Sequence, residues 1–146
     1  MTQLIPEGSM GAHGEDVVLL AVPASGAYLG VLRTATAGLA ARLQFTLDEI
    51  EDLRIAVDEA CAILLAVATI DAELCCRFTV TEHALTVEAT VPPVNSDVRL
   101  PTGESFAWQV LSALTDEVSA QVIEGRVAIQ LTKRRPVDNS SPLGVA

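Results

Sequence analysis

The stretch from Thr46 to Ala68 does most to restrict what this chain can fold into, because one helix-length segment carries a start signal, an apolar stripe and a pair of acids. Thr46 followed three residues later by Glu49 is a capping box, in which the hydroxyl and the carboxylate each accept from the other residue's backbone N–H. Asp48, Glu49, Glu51 and Asp52 then fill the first turns, where the helix dipole favours negative charge. Ile50, Leu53, Val57, Ala60, Cys61, Leu64 and Ala68 recur at spacings of three and four, which predicts a single buried stripe. Asp58 and Glu59 lie beside it. Two carboxylates next to an apolar seam cost free energy unless they are solvated or paired, so they border a pocket or an interface, or sit on a solvated helix rim.

With 146 residues the chain supports one domain with a proper core. A net charge of −10 opposes direct binding to nucleic acid, which needs clustered Lys and Arg, and suits a basic protein partner instead. The small knot Lys133-Arg134-Arg135 reads as a solubilising strand end. Cys61, Cys75 and Cys76 form neither a metal-site spacing nor a disulfide framework, which fits a reduced cytoplasm. The uncharged apolar run from Ala60 to Ile70 is too short to cross a membrane, and the N-terminus lacks the order of a signal peptide, so the expectation is a soluble cytoplasmic protein.

Met1 to Glu15 and Pro136 to Ala146 hold Gly, Pro, Ser and Asn without periodicity, which predicts flexible tails around a folded unit from Asp16 to Arg135. Val17 to Val22 reads as a strand stopped by Pro23. Leu29, Leu32, Thr36, Leu39 and Leu43 predict a first helix that carries Arg33 and Arg42, ahead of the capped second one. Leu74 to Val80 and Leu85 to Val91 alternate cleanly and are joined by the hairpin Thr81-Glu82-His83-Ala84. An irregular segment from Pro92 to Glu104 leads to a short helix through Phe106, Val110, Leu111 and Leu114, with Ser105 near its start and Phe106 and Trp108 packing it onto the sheet. Two more strands turn at Glu124-Gly125, apolar through Val118, Ala120, Val122, Val127, Ile129 and Leu131. Strands apolar on one side and Thr, Gln, Glu or Arg on the other have helices on one face only. The expected fold is an α+β two-layer sandwich with a mostly antiparallel sheet.

This order of elements resembles the Bergerat fold of the GHKL ATPases. More narrowly, Val17 to Lys133 resembles bacterial anti-sigma factors of the serine-kinase type, the RsbW and SpoIIAB kind. The resemblance is carried by Leu32-Arg33, by Asp52-Leu53-Arg54-Ile55-Ala56-Val57-Asp58-Glu59-Ala60, by Leu111 to Val118 and by Ile129-Gln130-Leu131-Thr132-Lys133. In that family the second helix holds a Glu that acts as catalytic base, matched by Glu59, and four residues later an Asn that holds the magnesium of ATP. Ile63 stands at the Asn position and has no oxygen for a hard cation. The family's Asp-x-Gly-x-Gly box is replaced by Val91-Pro92-Pro93-Val94-Asn95-Ser96-Asp97, and its glycine-rich phosphate box by Pro101-Thr102-Gly103-Glu104-Ser105-Phe106-Ala107-Trp108.

The resemblance therefore implies an anti-sigma factor with a degenerate ATP site, in which Glu59 is a vestigial base; the other reading of Glu59 is a rim carboxylate paired with Arg54 or another cation. No cofactor is expected; the alternatives are ATP with magnesium in an active kinase, or a different small ligand in a remodelled cavity. An active kinase would need Asp97 or Glu88 to substitute as metal ligand. Implied partners are an alternative sigma factor, a STAS-domain anti-anti-sigma factor and a second copy in a homodimer. The family's Arg in the first helix contacts both kinds of partner, which makes Arg33 the leading partner-binding residue, the alternative being a surface Arg that balances the acidic second helix; Asp58 is the second partner-binding candidate and faces either the partner or solvent. A guanidinium pairs bidentately with a carboxylate on either partner, so docking of the two would be mutually exclusive.

Overall fold

The protein, described here from a computed structural model, is defined over residues 14–101 and 103–135. The expected tails at 1–13 and 136–146 lie outside the described residues. The chain runs through β1 (Glu15–Pro23), a single 3-10 turn (Gly26–Tyr28), α1 (Leu29–Arg42), α2 (Leu47–Val67), β2 (Glu73–Thr81), β3 (Ala84–Val91), α3 (Phe106–Leu114), β4 (Glu117–Ile123) and β5 (Arg126–Arg134). All strand pairs are antiparallel, and the sheet order is β1-β2-β3-β5-β4. The α+β two-layer class expected from the alternating strands is what the chain adopts, consistent with a GHKL-like fold.

Register explains the two faces. Val18, Phe78, Val87, Leu131 and Val118 line up across the sheet, and so do Leu20, Cys76, Ala89, Ile129 and Ala120. These rows face the helices, and the residues from β2, β3 and β5 among them are buried. The other face carries Leu19, Arg77, Glu88, Gln130 and Ser119 in one row and Val17, Thr79, Thr86, Thr132 and Glu117 in the next. On that polar face Ala128 and Thr132 are nevertheless buried, because β5 is flanked by strands on both sides. The Thr86 and Thr132 hydroxyls hydrogen-bond at 3.0 Å across the strands.

The helix starts are set by local chemistry. Thr46 and Glu49 form the full reciprocal box, at 3.2 and 2.8 Å. Ser105 caps α3 by accepting from Trp108 N at 3.1 Å. Helix α1 ends where Gln44 adopts a left-handed φ of 60°. Between β4 and β5, Glu124 and Gly125 take φ of 51° and 76°, the positive pair that a two-residue hairpin loop requires.

Helix α2 lies over β3 and β5 and packs against both α1 and α3, so it is the central beam of the helical layer. Its buried residues are Leu53, Ala56, Val57, Ala60, Cys61 and Leu64; Ile50 and Ala68, the ends of the expected stripe, are only half-buried. One packing expectation is corrected. Phe106 is 80% exposed and does not pack α3 onto the sheet, because it sits off the face formed by Trp108, Leu111 and Leu114. Strand β1, at the sheet edge, leaves Val17, Val18 and Leu19 exposed, with Leu19 at 72%.

Candidate functional site

The seam between α1 and α2 brings together the two residues singled out for partner binding. Arg33 Nε lies 3.4 Å from Asp58 Oδ1, with the two side chains 41% and 38% exposed. The Asp58 Oδ1 atom itself is shut off from solvent and, among the described residues, has no hydrogen-bond partner, so the contact is an ion pair without hydrogen-bond geometry. Gly30, one turn before Arg33, leaves open the space where a side chain would meet Arg33 Nη2 at 3.7 Å. The alternative reading of Arg33, a surface arginine balancing the acidic second helix, fits this pairing, although Asp58 was not singled out as its partner.

Glu59 is half-buried and, among the described residues, has no hydrogen-bond or ion-pair partner. Its expected partner Arg54 turns instead to Glu51, 3.1 Å away. The reason is helical geometry: residues three apart share a face, whereas five residues rotate the side chain well away. Ile63, one turn beyond Glu59, packs against the apolar core. Beneath them, a hydrogen bond with Cys76 and burial, with smaller contributions from the charges of Cys76 and Asp58, push the Cys61 thiol far up, so it stays protonated. Cys76 is buried and Cys75 half-buried on the opposite sheet face, as their adjacency on a strand predicts.

The donor set does not fit a magnesium nucleotide. Pro92 and Pro93 have no N–H to offer a phosphate, and their carbonyls accept from Thr69 Oγ1 at 3.2 and 2.9 Å. Val94 N donates to Val67 O at 2.8 Å and Thr69 N to Pro92 O at 2.9 Å, so the segment after β3 is stitched to the end of α2. A side chain at Gly103 would sit 3.9 Å from Trp108 Cδ1. Glu88 cannot replace the missing ligand, because its register places it on the sheet face away from α2. Asp97 is exposed, and its N–H is bonded to Asn95 Oδ1 at 3.0 Å.

The basic knot is a clasp as well as a strand end. Lys133, only 15% exposed, donates to the last carbonyl of α3, Leu114 O, at 3.1 Å and pairs with Asp52 of α2 at 3.8 Å. Arg134 pairs with Glu117 at 2.8 Å, its N–H donates to Asp116, and Arg135 reaches Gln44 Oε1 at 3.3 Å. No helix among the described residues is long and apolar enough to cross a membrane.

No family model matches the chain. Individual curated relatives do. The serine-protein kinase RsbW of Bacillus subtilis (strain 168) is 47% identical over 49 residues, which is 34% of this chain and 31% of that protein. Serine-protein kinase RsbW of Bacillus velezensis is 40% identical over 75 residues, 49% of this chain and 47% of the relative. Anti-sigma-F factor RsbW of Mycobacterium tuberculosis (strain ATCC 25618 / H37Rv) is 36% identical over 106 residues, 73% of this chain and 62% of the relative. The chain thus spans less than two thirds of each of these relatives. By these matches the chain is similar, over up to 106 residues, to proteins of the RsbW type.

Proposed function

We propose that this chain is an anti-sigma factor that sequesters an alternative RNA polymerase sigma factor in the cytoplasm, yields it to a STAS-type anti-anti-sigma factor, and has little or no kinase activity. The observation that carries the reading is the match over 106 residues to a protein named anti-sigma-F factor RsbW. The net charge of −10 supports it, since an acidic surface steers a basic partner into encounter. Arg33 supplies the specific contact, and the two partners exchange because both need it. A second copy completes a homodimer, as the family resemblance implies.

The kinase half of the family's role is set aside on the donor set. Glu59 stands at the general-base position, but Ile63 offers no metal ligand, and phosphoryl transfer depends on metal and backbone donors to stabilise its transition state.

Tagged protein is used to capture partners from its native cytoplasm, with the retained proteins identified by mass spectrometry. Recovery of a sigma factor, alone or exchanged for a STAS protein, is the expected result. Retention of neither overturns the anti-sigma reading. Incubation with labelled ATP and the STAS protein then tests the second half, and stoichiometric phosphorylation would overturn the assignment of weak or absent kinase activity.

A further inference from the structure

Resting on the reading of Arg33 as the partner contact, we propose that Asp58 is its positioning residue: by holding the guanidinium at Nε, it leaves the Nη1–Nη2 edge for an Asp or Glu side chain of the docking protein. A guanidinium can take a carboxylate side-on, through Nε and one Nη, or end-on, through both Nη groups. Asp58 lies against the Nε side at 3.4 Å, which blocks the first mode and leaves the second. Among the described residues Arg33 has no other ion-pair or hydrogen-bond partner, so the end-on edge is uncommitted. Gly30 adds no side chain beside Nη2, where a Cβ would stand in ordinary contact at 3.7 Å.

The burial of Asp58 Oδ1 gives the arrangement its persistence. An ion pair open to water on both sides exchanges readily with solvent. Among the described residues Oδ1 has no hydrogen-bond donor and is shielded from solvent, so Arg33 is the charge nearest it, while the rest of the carboxylate, 38% exposed as a side chain, stays in water. The arginine is thereby fixed before the partner arrives. Less rotamer freedom is lost on docking, and the plane of the guanidinium is already set. Ile55, exposed one turn before Asp58 on α2, extends the same face with an apolar surface.

The test is a double-mutant cycle against the purified sigma factor that the wild-type chain retains. Wild type, Arg33→Ala, Asp58→Ala and the double variant are compared in binding affinity, with Asp58→Asn as the conservative variant should the alanine chain fold poorly. The side-chain Nε–H signal of Arg33 is followed by NMR in the same proteins without partner. The expected result is a roughly three- to tenfold loss of affinity for Asp58→Ala, with the double variant no weaker than Arg33→Ala alone. The Nε–H signal should hold a position set by the adjacent carboxylate in wild type and shift in Asp58→Ala, with Asp58→Asn between them. Asp58→Ala binding as tightly as wild type or tighter overturns the proposal, since Asp58 would then be idle or a competitor. An equal loss from Asp58→Ala with and without Arg33 also overturns it, because Asp58 would act independently. If Arg33→Ala itself binds the sigma factor like wild type, the underlying reading of Arg33 fails and takes the proposal with it, an outcome plainly different from the other two.

Discussion

Lys133 and Arg33 each meet an aspartate of α2, Asp52 and Asp58, on different flanks of the same helix. On the Lys133 flank the ammonium is largely out of water and has two partners, a carboxylate and the terminal carbonyl of α3, so one side chain fastens β5, α2 and α3 together. On the Arg33 flank the guanidinium is substantially exposed and has a single partner at a distance beyond a good charge-assisted hydrogen bond. The difference teaches how to separate a charge that holds the fold from a charge held ready for something else. The first kind has its donors used up, and the second keeps most of them free.

Three measurements put that contrast to the test. The largest effect should come from Lys133→Met, which keeps the aliphatic stem but orphans the Leu114 carbonyl and Asp52. A loss of about 1–3 kcal/mol in urea denaturation is expected, with capture of the sigma factor unchanged. A smaller effect lies in the core beneath α2, where the folded Cys61 thiol is pushed up from an ordinary value of 9.0. Stability from this group is complete below about pH 9 and falls as pH rises above it, because the unfolded thiol ionises while the folded one does not. Urea midpoints between pH 8 and 10 should decline by up to about 1.4 kcal/mol per pH unit from this thiol, and Cys61→Ala should remove that share of the slope. The smallest effect on stability should be that of Arg33→Ala, below about 1 kcal/mol as for other exposed pairs, even though its effect on partner binding is the larger one. If Arg33→Ala unfolded the protein more easily than Lys133→Met, the distinction between the two flanks would be lost.

The features legible in the sequence are those fixed by neighbours in the chain. The Thr46 capping box, the Ser105 cap, the alternation of Leu74 to Val80 and Leu85 to Val91 and the hairpin at Glu124-Gly125 all follow from side chains acting on backbone a few residues away. Arg54 was equally legible and misjudged, since helix geometry favours Glu51 over Glu59. What distant packing decides was hidden. The seam that joins Arg33 to Asp58, the burial of Lys133 under the end of α3 and the stitching of Pro92–Val94 to α2 depend on how three helices settle over one sheet. The exposure of Phe106 shows the same limit, because hydrophobicity alone cannot tell which side of a short helix will find the core.

The β1 edge has a consequence for how this protein behaves in bulk. From Val17 to Val22 the strand carries no charge and no proline, and among the described residues its outer edge has no neighbouring strand. Natural edges are commonly guarded by lysine, bulges or covering loops that discourage sheet-to-sheet joining. Here the guard is global: ten excess negative charges keep molecules apart at long range. Such repulsion reaches only about 8 Å at physiological ionic strength and about 3 Å in molar salt, while apolar attraction is not screened at all. Colloidal stability is therefore rented from the ionic medium, and a concentrated stock of this protein keeps best in dilute buffer.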